Sequence, residues 1–381
     1  MNHKLGAAAV AVLVVLAACG GGGGGDASAP PPENLAAATL PPDSVAGFAY
    51  VANQGSDDVS AYAIDARTGA LAQVAGSPFA AGIGPESVSV HPSGKFAYVA
   101  NFGSAGVPGN ISAYAIDAGT GALSEITGSP FAAGTLPVAV AVDPSGRFAY
   151  VANNLSGDVS AYAIDAATGA LSRVGAAVAA GLRPNSIAVD PSGRFAYVAN
   201  FVGDFAGNVS AYTIDAGTGA LSAVAGSPFA AGLDPQSVTV EPSGRFVYVA
   251  NRQSADISAY AIDAATGALS EIAGSPFAGG IQLAVDPTGR FAYVATGGNV
   301  SAYTINATTG ALTGIGAFAA GVSPYRVTVD PSGQFAYAAN RGGNDISAYS
   351  INATTGALTS IGAAVAAGIR PQAITTTRTM R

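Results

Sequence analysis

The chain has 381 residues, a formal net charge of −8 and only 10% charged residues, against roughly 25% in an average soluble protein. An acidic chain of this kind has no basic patch with which to displace counterions from a phosphate backbone, so nucleic acid is excluded as a partner class. With 49% hydrophobic residues, 51 glycines, 22 prolines and no tryptophan, it can bury a large core of small side chains and make the many turns of an all-β fold.

Residues 1–19 read MNHKLGAAAVAVLVVLAAC. His3 and Lys4 form a short basic start, and residues 6–18 are an uncharged apolar run of 13 residues. A spanning helix needs about 20 residues, so the run fits the hydrophobic region of a secretory signal. Its end, Leu16-Ala17-Ala18-Cys19, resembles a bacterial lipobox, in which the cysteine thiol receives a diacylglycerol and cleavage leaves that cysteine first. An ordinary signal peptide ending near a cysteine is the alternative. Cys19 is the only cysteine, so it has no internal disulfide partner. Lipidation at Cys19 is the expectation, with the membrane as anchoring partner and the cell envelope as location. Gly20, where Asp is absent, favours the outer membrane. Residues 20–46, rich in glycine and proline, read as a flexible linker.

From Phe48 onward the sequence copies itself. Tyr50-Val51-Ala52-Asn53 recurs at Tyr98, Tyr150, Tyr197 and Tyr248, and in altered form at Tyr293 and Tyr337, seven copies at spacings of 44 to 52 residues. Ser-Ala-Tyr follows each copy, then Thr-Gly-Ala-Leu. An acidic residue or histidine with Pro-Ser/Thr-Gly precedes six of the seven. Repeats this dense dictate the fold reading. In the second repeat the predicted strands are 87–90, 96–101, 111–117 and 123–126, separated by turns at 91–94, 103–110 and 118–121. In Phe96-Ala97-Tyr98-Val99 aromatic and small residues alternate, the period of a strand. The prediction is an all-β, seven-bladed β-propeller of four-stranded antiparallel blades over residues 47–381. A parallel β-helix has coils too short for this repeat.

The first repeat lacks its own first strand. Residues 370–376 match residues 183–189, so the C-terminal strand is expected to pair beside the first repeat and close the ring. Pro42-Asp43-Ser44-Val45 weakly mimics the same strand but lacks the turn that should follow.

The Tyr-Val-Ala-Asn blocks, with Asp-Pro-Ser-Gly-Arg-Phe before them and Ser-Ala-Tyr after, resemble the YVTN-type propellers and the wider seven-bladed lactonase family, which includes 6-phosphogluconolactonase-like proteins. The resemblance covers residues 48–377 and rests on scaffold motifs. It implies a propeller and an activity on a sugar lactone. Related enzymes commonly place a histidine at the channel mouth beside arginine and glutamate. No entry loop of this chain carries one. His91, the only histidine after the leader, takes the turn position held elsewhere by Asp143, Asp190, Glu241, Asp286 and Asp330.

While the scaffold hardly changes, the loops entering the innermost strands vary. They supply the candidate ligand-binding set Glu86, Arg183, Asn185, Asp234, Gln236, Gln282, Tyr325, Arg326 and Gln372. Such a rim suits hydrogen bonding to a polyol, a sugar acid or a peptide. Glu86 with Arg183 or Arg326 is the conceivable pair of general base and oxyanion clamp. No metal site, nucleophile elbow or cofactor motif occurs. The first functional expectation is an exported, monomeric binding scaffold with a polar channel mouth, taking a small polar ligand or an envelope protein. A sugar-lactone hydrolase is the alternative, and assembly or adhesion through blade edges a third.

Overall fold

The period-two alternation of each repeat becomes a blade. The computed structural model describes residues 40–41, 44–203 and 205–377. The leader, Cys19 and most of the linker lie outside the described residues. Seven antiparallel sheets form, and their innermost strands touch one another in a closed cycle. In the second blade the order outward is Pro85–Val90, Phe96–Asn101, Asn110–Ile116 and Leu123–Glu125. The seven-bladed propeller is therefore as predicted.

The predicted ring closure is also present. Pro371–Thr376 runs antiparallel to Val45–Asn53, with Thr375 opposite Tyr50 and Ala373 opposite Ala52. Val45 is not a rival first strand. It lengthens the second strand of the first blade, opposite Asp65.

One element escaped the sequence reading. In five blades the outermost strand is interrupted, and a two- to five-residue piece, such as Phe131–Ala132, returns to pair with the third strand. Gly-Ser-Pro drives the interruption in four of these five, since proline cannot donate to the ladder. The serine repairs the gap: Ser129 Oγ accepts the Ala113 N–H at 3.0 Å. In two of the three blades without Gly-Ser-Pro, the third and the sixth, the strand is continuous as Leu171–Ala179 and Leu312–Ala319.

The aromatic face of each blade fits the small-residue face of the next. Phe96, Tyr98 and Ala100 pack on Ala149 and Val151 of the following blade. A buried phenol needs a partner for its hydroxyl, and the ring supplies one. Tyr98 Oη donates to the Gly169 carbonyl of the next blade at 2.9 Å, and Tyr114 Oη donates to the Ala80 carbonyl of the previous one at 2.6 Å. The forward pattern runs from Tyr50 to Gly121 and closes from Tyr337 to Gly69. Burial pushes these phenols up, Tyr114 to about 12, so they stay neutral donors.

This also explains the glycine of Thr-Gly-Ala-Leu. Gly121 sits at φ +76°, and a Cβ there would lie 2.3 Å from the Phe48 ring of the preceding blade. Gly121→Ala is expected to destabilise the protein by about 2–3 kcal/mol, through left-handed backbone strain and overpacking together. The denaturation midpoint measures it, and an unshifted midpoint would mean that the phenyl ring gives way freely.

The turns at the far end of the innermost strands use one device. Asp143 Oδ1 accepts the Phe148 N–H at 2.7 Å, and Oδ2 accepts the Ser145 N–H at 3.1 Å. His91 replaces the aspartate in its blade. Its Nδ1 accepts the Ser93 N–H at 3.0 Å, and its Nε2 lies 2.8 Å from the Gly146 carbonyl of the next blade. Both ring nitrogens are engaged, at the end of the channel opposite the entry loops.

Candidate functional site

The entry loops and the segments after Tyr-Val-Ala-Asn meet at one end of the channel around a cavity of about 450 Å³. A backbone irregularity aims the side chains into it. The ladder between the first and second strands slips immediately after the opening proline, between Pro85 and Ser87 and at the matching place in five other blades. The residue left in the bulge is Glu86, Val138, Asn185, Gln236, Tyr325 or Gln372, and every one of these lines the cavity. A bulge re-aims a side chain in this way because its residue has no ladder partner to hold it in the pleat.

Seven of the nine predicted residues line the cavity: Glu86, Asn185, Gln236, Gln282, Tyr325, Arg326 and Gln372. Arg183 and Asp234 do not. Each precedes the proline and takes a positive φ, 44° and 58° respectively, which turns the side chain away from the axis. Exposed Arg183 stacks over Phe201 at 5.7 Å from the ring centroid. Asp234, 3% exposed, lies behind the wall. It pairs with Arg252 Nε at 2.7 Å and accepts from the Gln236 amide.

The sequence reading missed Gln54, Phe102, Val138, Asn154, Arg252, Ile281 and Arg341, which complete the lining. Five of these, Gln54, Phe102, Asn154, Arg252 and Arg341, directly follow the repeated Asn. That position varies from copy to copy as the entry loops do, so the signal was available.

Glu86 is the chemical centre. Burial pushes its carboxyl up to about 7, against the opposing pull of Arg326, Arg341 and the neighbouring amides of Gln54 and Gln372. Gln54 Nε2 donates directly to Glu86 Oε1. Burial also lowers the pKa of the Arg326 guanidinium from its ordinary value. Arg341 stacks on the Tyr325 ring at 5.3 Å, and Tyr325 Oη donates to Gln236 Oε1 at 3.3 Å. Some amides are already committed. Gln282 joins two blades by accepting the Val327 N–H at 2.7 Å and donating to the Leu283 carbonyl. Asn185 accepts from Asn154 at 2.8 Å. Two lining groups keep buried polar atoms without a hydrogen-bond partner, Arg341 Nε and Gln372 Oε1. Such atoms are expensive unless a ligand or water meets them. The arrangement offers a carboxylate that titrates near neutrality, two guanidiniums beside it, and a rim of amides.

A family model for the lactonase seven-bladed β-propeller matches residues 38–232, 223–329 and 318–380. A search among curated proteins finds no match. Solved structures share the fold. A 6-phosphogluconolactonase candidate from Bacteroides uniformis ATCC 8492 has a TM-score of 0.75 at 19% identity, covering 87% of this chain and 99% of its own. A second, from Bacteroides fragilis NCTC 9343, has a TM-score of 0.75 at 20% identity, covering 89% and 99%. The periplasmic gluconolactonase of Pseudomonas aeruginosa has a TM-score of 0.72 at 18% identity, covering 88% and 99%. At these identities the likeness is one of fold. The family match spans the whole propeller, and this chain belongs to the lactonase family of seven-bladed β-propellers.

Proposed function

We propose that the protein hydrolyses a sugar lactone at the channel mouth. The observation that carries this reading is Glu86, whose carboxyl titrates at about 7 beside Arg326 and Arg341. A general base works best with a pKa near the operating pH. In the proposed reaction the Glu86 carboxylate takes a proton from a water, whose oxygen bonds to the lactone carbonyl carbon. Arg326 and Arg341 stabilise the negative oxygen that develops. The ring C–O bond then breaks, and the proton held by Glu86 passes to the departing alkoxide. The product is an open-chain hydroxy acid, ionised at neutral pH, which leaves as a carboxylate from beside the guanidiniums. Asn154 and Gln372 line the cavity with amides, a side-chain type suited to sugar hydroxyls.

Family membership, together with the gluconolactonase name of the Pseudomonas aeruginosa relative, supports lactone hydrolysis over the first expectation of a non-catalytic scaffold. One observation favours the scaffold: among the described residues, no histidine lines the mouth. Assay of the purified chain on glucono-δ-lactone, corrected for spontaneous opening, decides between them. Turnover that depends on Glu86 supports the hydrolase. Gluconate binding with no turnover of glucono-δ-lactone or its 6-phosphate supports the scaffold.

We also propose that the chain is exported and anchored through Cys19. The described chain enters its first blade at Val45, at the end of the strand opposite Asn53 and the mouth, which suits a tether that leaves the mouth open. Cys19→Ser is expected to abolish incorporation of labelled fatty acid and to release the protein from the membrane fraction. Label retained in that variant would overturn the anchor.

A further inference from the structure

Glu86 is tied to one of its two guanidiniums through a single amide. Gln54 stands in the loop that leaves the second strand of the first blade, directly after Val45–Asn53. No other repeat has glutamine at this position. Its side chain has two neighbours, each from a different blade. On one side Nε2 donates to Glu86 Oε1 of the second blade. On the other side Arg341 Nη2 of the seventh blade donates to Gln54 Oε1 across 3.5 Å. A guanidinium carries only donors, and an ionised carboxylate only acceptors. The amide therefore has one orientation that serves both, its oxygen toward Arg341 and its nitrogen toward Glu86.

The closing segment of the chain holds this amide in place. The backbone N–H of Gln54 donates to the Arg370 carbonyl at 3.0 Å, and that of Gly55 to the Ile369 carbonyl at 2.8 Å. Two residues beyond Arg370, buried Gln372 brings a second amide to the Glu86 carboxyl. Arg341 is fixed in turn by stacking on Tyr325, and its Nε keeps no hydrogen-bond partner. The charged and titratable groups that act on Glu86 all belong to the seventh blade: Arg326, Arg341 and Tyr325. The first blade brings only the two amides, and the third brings uncharged Val138 and Asn154 to the cavity. Gln54 is thus the side chain that joins the candidate base to a guanidinium of its own clamp.

Resting on the lactonase reading, we propose that Gln54 is a positioning residue for the reaction, holding the Glu86 carboxylate at a fixed spacing from Arg341. Base and oxyanion clamp then meet the lactone together, without a search for each other's geometry. The donor of the amide favours the charged form of Glu86, the form that takes the proton. Gln54 itself exchanges no proton: the proton from water goes to Glu86 and from there to the departing alkoxide.

The test follows kcat and KM for glucono-δ-lactone against pH, corrected for spontaneous opening, in the full chain and in Gln54→Leu. Without the donor the Glu86 carboxylate is less stabilised, so the acid limb of kcat/KM is expected to move up by about one pH unit. Above the limb kcat is expected to fall about 10–10²-fold, with KM changed by less than about threefold. Misfolding lowers the active fraction but cannot move the midpoint of the limb. Should Gln54→Leu not fold, Gln54→Glu keeps the shape of the side chain and sets a second carboxylate against the first, which also moves the limb up. An unmoved limb with unchanged kcat above it would overturn the positioning role and leave the hydrolase reading intact. Absence of turnover by the wild-type chain would overturn the hydrolase reading. The hold of Gln54 on Glu86 is then read from the NMR titration of the labelled Glu86 carboxyl, assigned by its loss in Glu86→Gln. A midpoint raised in Gln54→Leu supports the hold, and an unmoved midpoint overturns it.

Discussion

Glu86→Gln is expected to lower kcat/KM for glucono-δ-lactone by about 10²–10⁴-fold, the usual contribution of a positioned general base. Glutamine keeps the shape and can still meet Gln54 but cannot take a proton. In the wild-type protein the base must be ionised, so kcat/KM should fall about tenfold per pH unit below about 7 and level off above it. The variant should lose that acid limb. Stability moves the other way and separates chemistry from misfolding. The folded-state carboxyl is raised from 4.5 to about 7, so between these values the folded state holds a proton that the unfolded chain releases. Stability therefore falls as pH rises through this window and stays at its lower level above it. Glutamine removes the penalty, so the variant should melt above the wild-type temperature at pH 8. A variant that retains full turnover would remove Glu86 from the mechanism. One that is inactive and less stable at pH 8 would mean that the carboxylate is held by its partners more than it is penalised by burial.

Deleting residues 371–381 is expected to cost on the order of 5 kcal/mol or more, comparable with the whole stability of an ordinary domain. The deletion removes the innermost strand of the first blade, with its ladder to Val45–Asn53 and the buried Ala373 and Ile374. Each lost backbone bond contributes about 1 kcal/mol net. The ring then has an open edge, where the backbone of Tyr50 and Val51 is free to pair with another chain. Loss of Gln372 also takes one wall from the mouth. The expected readout is aggregation, or a non-cooperative melt, with fast hydrogen exchange at residues 48–53. A truncated chain that melts cooperatively at the wild-type temperature would show that another segment closes the ring.

Much of this molecule was legible in the sequence because the repeat carries it. Tyr98 and Gly121 recur for one reason: every blade must bury one aromatic face on its neighbour's small face. The bulged residues Glu86, Asn185, Gln236 and Gln372 were legible by contrast, as places where the copies disagree. The same contrast pointed equally to Arg183 and Asp234, and there it misled. Whether a varying residue faces the axis depends on the φ angle before the proline and the bulge after it, and residue type does not reveal either. Arg252 and Arg341 were passed over although their position varies too, because they sit in the loop that leaves the second strand and not in the loop that enters the first.

The sequence by itself determined seven blades, their strand order and the strand that closes them, since all three follow from local alternation, turn residues and counting copies. Only the tertiary structure decided the candidate chemistry. Glu86 stands far along the chain from Arg326 and Arg341, and ring closure alone brings the second blade, the seventh and the C-terminal strand around one cavity. The carboxyl's shift to about 7 arises there, from removal of water that no single repeat can achieve.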